Sequence, residues 1–264
     1  MITLVVSNRD RFDLDTNSSK FFIKSLNNQS FKDFKVLLVD GGSTNYAKLL
    51  KQMDSIPFMD VIQHNIGEEF ERAKLNNVGI LNANTEYVLT TDVDMFFGPD
   101  FIFNVMKELN NEDCFVESRT LYWKKCTSEP LYKGEIDIKN LNKLRDHGRI
   151  KKRTSAGGCQ CTSIDNWKKV RGFDEKFVGW GSEDYDLLNR VKKIGIPVRW
   201  IGEGRDIIQL FHQPHEKMNI KHDLKCQEKN KKILYSNREL HEVNPNGWGG
   251  KTNLEIYSFN NKSK

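Results

Sequence analysis

The fold is decided by the stretch Thr90-Thr91-Asp92-Val93-Asp94-Met95-Phe96, which comes directly after Glu86-Tyr87-Val88-Leu89. The second of these segments is a short apolar run and predicts a buried strand. An ionised Asp at the exit of such a strand loses hydration and needs a cation or several donors in return. A divalent metal that carries a diphosphate meets that need, because hard cations bind carboxylate oxygens. The alternative is that Asp92 and Asp94 only open the next turn.

Strands and helices alternate on either side of this stretch. In the first half, apolar runs predict strands and period-3.6 patterns predict helices, and their order is Ile2–Val6, helix Phe21–Leu26, Lys35–Val39, helix Tyr46–Met53, Met59–Gln63, helix Glu69–Leu81, Glu86–Leu89 and helix Gly98–Leu109. This order predicts an α/β fold with a mostly parallel central sheet and helices on both faces.

The second half is predicted less regularly. Strands are expected at Cys114–Leu121 and Val198–Ile201, and helices at Trp167–Val170 and Glu183–Ile194. Residues 124–152 are polar and lack a strong period, so we expect a long loop with one helix near Ile138–Leu144. Residues 216–264 begin with a lysine-rich helical pattern and contain few large apolar side chains. We expect them to form a basic extension that wraps around the preceding residues.

Composition narrows the class of protein. The chain has 264 residues, of which 38% are hydrophobic and 29% charged, and its net charge is +5. This composition predicts a folded, soluble protein. The basic residues do not cluster with aromatic residues, so nucleic-acid binding is not expected. We see no signal peptide and no membrane span, and the five cysteines include no Cys-x-x-Cys pair. Reduced thiols in the cytoplasm are expected.

Three further segments carry candidate site residues. Asn8-Arg9-Asp10-Arg11 follows the first strand, and Asp40-Gly41-Gly42 follows the second, where an open α/β sheet binds ligands. The glycines either let the backbone approach a ligand or allow a tight turn. His212 follows an apolar run and is either a metal ligand or a core histidine.

The segment Gly179-Trp180-Gly181-Ser182-Glu183-Asp184-Tyr185-Asp186 is dense in glycine and acids. Ser182 is expected to cap a helix, and acids in the first turn suit the helix dipole. That explanation leaves the Gly-Trp-Gly run unexplained. An aromatic residue between two glycines offers a flat platform for a sugar ring.

Taken together, these stretches resemble the inverting GT-A glycosyltransferases, and in particular the β-1,4-galactosyltransferase family, whose domain also occurs in chondroitin-type polymerases. The resemblance spans about 2–215, and its first half extends to bacterial glycosyltransferases of polysaccharide synthesis. The matching residues, in the family's order, are Arg72-Ala73-Lys74-Leu75-Asn76-Asn77-Val78-Gly79, Thr91-Asp92-Val93-Asp94, Gly157-Gly158, Gly172-Phe173, Gly179 to Asp186, Asn189-Arg190 and His212.

The resemblance implies a GT-A, or nucleotide-diphospho-sugar transferase, fold. Residues 1–215 would be the catalytic domain, with a nucleotide-sugar half at about 1–120 and an acceptor half at about 121–215. The implied reaction moves galactose or N-acetylgalactosamine from a UDP-sugar to a glycan hydroxyl and forms a β-linkage. The implied cofactor is Mn²⁺, with Mg²⁺ as the alternative.

The resemblance also implies roles for single residues. Asp184 would be the catalytic base, Asp94 and His212 would bind the metal, and Asp92 would hold the ribose or support the metal. Arg72 would contact the diphosphate or nucleotide. The remaining implied contacts with the donor or acceptor come from Asn8, Arg9, Arg11, Asp40, Gly158, Trp180, Gly181 and Glu183.

The chain departs from the family at several positions. The animal enzymes have a membrane anchor and disulfides, of which this sequence shows no sign. Ser182 replaces a glycine of the motif. Gln209 stands where the family has a methionine ligand, so it either ligates a hard cation or leaves only two protein ligands. His215 could compete with His212 for the metal.

The resemblance leads to an expected setting and to alternatives. We expect a bacterial, cytoplasmic enzyme that acts on a glycan or lipid-linked saccharide, with peripheral membrane contact through its basic tail. The sequence leaves its oligomeric state open. The alternatives are a retaining transferase, or a non-catalytic sugar-nucleotide-binding or lectin-like module, which would lack a base or a metal site.

Overall fold

The structure is a computed structural model. It describes residues 1–123, 125–135, 137, 139, 140, 142, 145, 148–150, 157–203, 207–214, 220–240, 242–250, 254 and 256–258. The helix predicted near Ile138–Leu144 lies for the most part outside the described residues, and so does His215.

The strands of the described chain are named in order. They are β1 Ile2–Asn8, β2 Phe34–Asp40, β3 Met59–Gln63, β4 Tyr87–Thr91, β5 Met95–Phe97, β6 Phe115–Ser118, β7 Thr120–Trp123, β8 Gly148–Ile150, β9 Gln160–Ser163, β10 Val198–Ile201, β11 Leu210–His212 and β12 Ile256–Tyr257.

The helices are named in the same way. They are α1 Asn17–Asn27, α2 Tyr46–Met53, α3 Arg72–Asn82, α4 Phe101–Asn111, α5 Lys125–Tyr132, α6 Ile164–Val170, α7 Glu183–Lys193 and α8 Ile220–Ser236. Side-chain caps start several of them, as where the Thr16 side chain accepts a hydrogen bond from the Ser19 N–H at α1.

In the described chain the central sheet has the order β10-β6-β9-β4-β1-β2-β3-β12. Strands β4, β1, β2 and β3 are parallel, and so are β10 and β6, whereas β9 runs antiparallel to both of its neighbours. A smaller sheet has the order β5-β11-β7-β8. The predicted α/β class and mostly parallel sheet are therefore confirmed.

Successive side chains of the central strands lie on opposite faces of the sheet, so each strand contributes to the core on both faces. In β1 and β2, Leu4, Val6 and Leu38 pack in a cluster with side chains of α1, α2 and α4. Their neighbours Val5 and Leu37 pack on the other face with α3, α6 and α7. Strands covered on both faces read as continuous apolar runs, which is why the sequence shows β1 and β2 clearly.

The C-terminal residues pack against this body. Helix α8 contacts α7, and β12 pairs antiparallel with β3 at the edge of the central sheet. In the described part of the chain, no helix is both long and apolar enough to cross a membrane.

Some predicted boundaries are wrong by a few residues. Helix α3 begins at Arg72 rather than Glu69, and α4 begins at Phe101 rather than Gly98. The single strand predicted at Cys114–Leu121 forms β6 and β7, which belong to different sheets. The predicted loop at 124–152 contains α5 and β8.

Candidate functional site

Parallel strands bring the candidate residues to one edge of the central sheet. Strand β1 ends at Asn8, β2 ends at Asp40, and β4 ends at Thr91, directly before Asp92. Their carboxyl ends lie side by side because β4, β1 and β2 are paired in parallel. Ligands bind at this edge in open α/β sheets.

Arg72, the first residue of α3, joins three carboxylates at this edge. Its Nε lies 2.8 Å from Asp92 Oδ1 and its Nη2 lies 3.2 Å from Asp92 Oδ2. Its Nη1 donates to Asp184 Oδ1 at 3.0 Å and to Glu183 Oε1 at 3.3 Å. The Arg72 side chain is only 11% exposed, so these ion pairs are shielded from water.

The charges of this cluster shift its pKa values. Burial alone would lower the pKa of Arg72, but the three carboxylates outweigh burial and raise it well above its ordinary value. Burial alone would raise the pKa of Asp92, but the charge and hydrogen bonds of Arg72 outweigh it and lower that pKa. Both groups are therefore ionised at neutral pH.

Glu183 behaves differently from Asp92. Burial, and then the charge of Asp184, raise the pKa of Glu183 to about 7. Two carboxylates in sequence at the start of α7 cannot both ionise freely beside one guanidinium. Glu183 therefore carries a proton in a large fraction of molecules at neutral pH, which reduces the negative charge beside Asp184.

Two hydrogen-bond donors hold Asp184, and a glycine leaves room for its carboxylate. Besides Arg72, the buried Gln160 donates from Nε2 to Asp184 Oδ1 at 2.9 Å. A Cβ atom at Gly157 would lie 2.4 Å from Asp184 Oδ2, and Gly157 has a φ of +112°. The Asp184 carboxylate thus has a fixed position, and glycine is required at position 157 for it.

Glu117 lies behind this carboxylate. It is fully buried and stands opposite Gln160 in the pairing of β6 with β9. Burial, and then the charge of Asp184, raise the pKa of Glu117 well above its ordinary value. The neutral carboxyl group of Glu117 therefore lies behind the contact between Gln160 and Asp184. Sequence reasoning missed both Gln160 and Glu117, although a glutamate inside the apolar run Phe115–Ser118 was a usable signal.

A second pair, Asp94 and His212, lies at the junction with the small sheet. Antiparallel pairing of β5 with β11 brings His212 opposite Met95, and Asp94 Oδ1 lies 3.8 Å from His212 Nε2. The His212 ring stacks on Tyr122 with centroids 4.9 Å apart. Metal–ligand bonds of about 2.1 Å let one cation bridge such a separation. The oxygen and imidazole donors therefore fit a divalent metal.

Two members of the predicted metal set make contacts within the protein. The Gln209 side chain reaches the start of α4, where its Oε1 accepts a hydrogen bond from the Asp100 N–H at 2.8 Å. Gln209 lies one residue before β11, and its role as a metal ligand stays a prediction. Asp92 has both oxygens bound by Arg72, which makes it a partner of Arg72 rather than of the Asp94–His212 pair.

Arg72 contacts other side chains of the protein. Its Nε and both terminal nitrogens contact carboxylates. In this arrangement Arg72 holds the acids of the site, and its contact with a diphosphate or nucleotide stays a prediction.

Asn8 and Asp40 hold the surrounding loops. Asn8 donates to Asp40 Oδ1 at 2.8 Å and accepts from the Phe12 N–H at 2.8 Å. Asp40 Oδ2 accepts from the N–H groups of Gly42 and Ser43. Both side chains are buried, so what they do here is shape loops, and their contact with a nucleotide stays a prediction.

Arg9 and Arg11 lie on the more open side of the site. Arg9 Nη1 donates to the carbonyl oxygens of Gly67 and Glu68, which links the loop after β1 to the segment before α3. Arg11 lies close enough to Asp92 to help lower the pKa of that carboxyl group. The structure thus places Arg11 near the acids and Arg9 at the rim.

The Gly-Trp-Gly run forms an exposed corner beside α7. Trp180 is 54% exposed, and Gly181 and Ser182 have φ values of +105° and +78°. Ser182 occupies the N-cap position but its side chain makes no capping hydrogen bond, so its predicted capping role is wrong. Gly158, the other glycine of the site, approaches Met95, and its carbonyl oxygen accepts a hydrogen bond from Thr91 Oγ1.

Two protein-family profiles match the sequence. One is described as glycosyl transferase family 2 and matches residues 20–164, more than half of the chain. The other is described as the N-terminal domain of galactosyltransferase and matches residues 142–216. The second match contains Gly157, Glu183, Asp184 and His212, and the first contains Arg72, Asp92 and Asp94.

Curated proteins with similar sequences include two human ones. The chain is 32% identical to β-1,4-galactosyltransferase 4 over 153 residues, which is 54% of this chain and 36% of that protein. It is 26% identical to chondroitin sulfate synthase 3 over 193 residues, which is 69% of this chain and 19% of that protein. The chain therefore spans little more than a third of these relatives at most.

Solved structures share the fold. S. aureus TarS 1–349, solved in complex with UDP-GlcNAc, has a TM-score of 0.61 at 14% identity, over 91% of this chain and 68% of that one. The mannosyltransferase PcManGT from Pyrobaculum calidifontis, solved with GDP-Man and Mn²⁺, has a TM-score of 0.55 at 14% identity, over 85% and 59%. The predicted GT-A fold is thereby confirmed.

Proposed function

The chain belongs to glycosyl transferase family 2, and on that premise we propose that it is an inverting, metal-dependent hexosyltransferase. It moves a sugar from a UDP-sugar to a hydroxyl group of a glycan acceptor and forms a β-linkage. The observation that carries this proposal is the position of Asp184, which Arg72 and Gln160 hold at the carboxyl edge of the sheet.

Asp184 is suited to act as the general base. In the reaction the acceptor oxygen attacks the anomeric carbon, its proton passes to Asp184, and the bond from that carbon to the diphosphate oxygen breaks. Base catalysis of this kind contributes about 10²–10⁴ in rate. A single base that faces the leaving group across the sugar gives in-line displacement, so an α-linked donor yields a β-linked product.

Glu183 and Arg72 set the charge around this base. Because the pKa of Glu183 is about 7, its carboxyl group can stay neutral beside the proposed base. Arg72 compensates the charge of Asp184 through the 3.0 Å contact. Two neighbouring acids with different protonation are typical of sites that use one of them as a base.

Asp94 and His212 are the residues that would hold a divalent metal, and Mn²⁺ or Mg²⁺ suits the pair. The separation of 3.8 Å and the donor types support this assignment. When bound, the cation supplies positive charge that stabilises the leaving diphosphate. His212 is kept in place by its stacking on Tyr122.

The names of the relatives support a preference for the donor sugar. Two of the relatives are named human β-1,4-galactosyltransferase 4 and chondroitin sulfate synthase 3. Their names favour galactose or N-acetylgalactosamine as the sugar that this chain transfers. The exposed Trp180 offers an apolar face for a sugar ring of donor or acceptor.

The setting is also part of the proposal. We place the enzyme in the cytoplasm, at the inner face of a membrane, acting on a lipid-linked saccharide of a surface glycan. Exposed lysines of α8, namely Lys225, Lys229, Lys231 and Lys232, support contact with an anionic membrane surface.

The experiment is a screen for release of nucleotide by the purified protein. UDP-galactose, UDP-N-acetylgalactosamine, UDP-glucose, UDP-N-acetylglucosamine and GDP-mannose are each tested with Mn²⁺, Mg²⁺ or EDTA. The proposal predicts metal-dependent release from one UDP-sugar, and a β-anomeric product by NMR once an acceptor is found. An α-anomeric product indicates a retaining enzyme, and absence of both turnover and donor binding contradicts the proposal.

A further inference from the structure

A second cluster of metal-ligating side chains lies outside the site described above. Glu69 precedes α3, and His222 and Cys226 lie one turn apart on α8. Among the described residues, these are the three His, Cys, Asp or Glu side chains whose ligand atoms all lie within 4.8 Å of one another. We propose that Glu69, His222 and Cys226 bind a thiophilic divalent metal of the Zn²⁺ class.

The distances fit a single metal ion. His222 Nε2 lies 2.9 Å and 3.0 Å from the two carboxylate oxygens of Glu69 and 3.8 Å from Cys226 Sγ. Tetrahedral Zn²⁺, with bonds of about 2.0 Å to nitrogen and oxygen and about 2.3 Å to sulfur, separates such ligands by about 3.3–3.6 Å. The two His222 separations therefore need adjustments of a few tenths of an ångström, and the Glu69 and Cys226 ligand atoms, which lie within 4.8 Å of each other, need to approach by about 1.3 Å at most.

The surroundings also suit a metal. The side chains of Glu69 and His222 are 49% and 40% exposed, so an ion can enter and a water molecule can complete its coordination. A carboxylate and a thiolate balance two positive charges. Sulfur and imidazole donors favour Zn²⁺ over Mg²⁺, which sets this cluster apart from the Asp94–His212 pair.

Cys226 would bind a metal as a thiolate, after loss of its thiol proton. Burial, and then the charge of Glu69, raise the pKa of its thiol, while the Trp180 N–H opposes that shift by donating to the sulfur. A metal ion displaces the thiol proton and takes over the compensation of its charge. The Trp180 N–H then remains as an outer partner of the bound sulfur.

Metal binding would join α8 to two segments that adjoin the proposed active site. Glu69 lies three residues before Arg72, and the Gly179 N–H donates to the carbonyl oxygen of Phe70 at 2.9 Å. A Cβ atom at Gly179 would lie 2.7 Å from Cys226 Sγ. Asn230, one turn farther along α8, donates to the carbonyl oxygen of Val178 at 3.0 Å. The ion would thus fasten α8 to the start of α3 and to the corner that carries Trp180.

The test is titration of the metal-free full chain with Co²⁺ as a spectroscopic substitute for Zn²⁺. A thiolate bound to Co²⁺ gives a near-ultraviolet charge-transfer band, which oxygen and imidazole ligands do not give. We expect this band to saturate at one equivalent and to disappear when Zn²⁺ is added. The Asp94→Asn variant should keep it.

Variants assign the ligands. Cys226→Ser should abolish the band, and His222→Asn and Glu69→Gln should each weaken Co²⁺ binding at least about 10-fold. Glu68→Gln is the matched control, since Glu68 is an exposed neighbour of Glu69, and it should bind as the wild type does. Circular dichroism checks that each variant is folded. Absence of a thiolate band in the wild type, or a band that survives Cys226→Ser, overturns the proposal.

Discussion

Arg72 and Asp92 form a two-pronged ion pair, with Nε 2.8 Å from Oδ1 and Nη2 3.2 Å from Oδ2. The remaining nitrogen of the same guanidinium contacts Asp184 and Glu183. One side chain therefore connects the acid that follows β4 with the acids that open α7. The account of the site depends on this connection, because it places the proposed base beside the carboxyl edge of the sheet.

Arg72→Met should destabilise the protein by about 3–5 kcal/mol, because a shielded group of carboxylates loses its cation. Urea unfolding measures the change. Arg119→Met is the control, since Arg119 pairs with Glu203, which is 60% exposed, and an exposed pair contributes about 1 kcal/mol or less. Equal, small losses in both variants would show that the Arg72 cluster does not stabilise the fold.

Gly157→Ala should lower kcat about 100-fold, because its Cβ would collide with Asp184 Oδ2 and a displaced catalytic group costs about that much. Gly195→Ala is the matched control. Gly195 also has a positive φ, of +79°, but its Cβ would meet nothing within 4 Å. Both variants carry backbone strain of about 1–3 kcal/mol, and only the first should lose turnover. Similar kcat values for the two would argue against the placement of Asp184.

Glu183 should give stability a measurable pH dependence. Its pKa rises from 4.5 to about 7 on folding, so the folded state binds more protons than the unfolded state in that window. The free energy of unfolding contributed by Glu183 is therefore present below pH 4.5 and is lost as the pH rises to about 7.

Glu183→Gln should reduce this slope, and urea unfolding across the same pH window measures the change. The buried Glu117, whose pKa is also raised, keeps its own contribution. Glu68→Gln, at an exposed glutamate, should keep the slope of the wild type. If the Glu183→Gln profile is as steep as that of the wild type, another group is responsible.

His212→Gln should raise the Mn²⁺ concentration needed for half-maximal activity by at least about 10-fold, because one of two protein ligands is replaced. The measurement is a metal titration of UDP release. His64→Gln should leave the titration unchanged, since His64 follows β3 and packs near Gly250. An unaltered metal requirement in His212→Gln would remove His212 from the metal site.

The sequence was sufficient for the fold and for most of the site. Strands β1 and β2 are covered on both faces, so their apolar runs stand out, and the positions of Asp40 and Asp92 follow from where β2 and β4 end. Because parallel strands end at one edge, the acids could be predicted to meet there. The predicted division into domains is not tested by the structure and stays a prediction.

What the sequence could not supply is the pairing of side chains across long separations. Gln160 reaches Asp184 because β9 lies antiparallel between β4 and β6, and no local pattern gives that register. Gln209 was expected beside His212 from its position in the motif, but its side chain reaches the start of α4. The resemblance implied that Arg72 contacts the diphosphate or nucleotide, and no local pattern shows its contacts with Glu183 and Asp184, which are more than 100 residues away in the chain.

The most direct measurement compares Asp184→Asn with Asp165→Asn in turnover and in donor affinity. Asp165 is 79% exposed in its side chain and lies on α6, away from the site. The account predicts that Asp184→Asn lowers kcat about 10²–10⁴-fold while the Kd for the UDP-sugar changes little, and that Asp165→Asn behaves as the wild type. A folded Asp184→Asn variant that transfers sugar at the wild-type rate would contradict the assignment of Asp184 as the base.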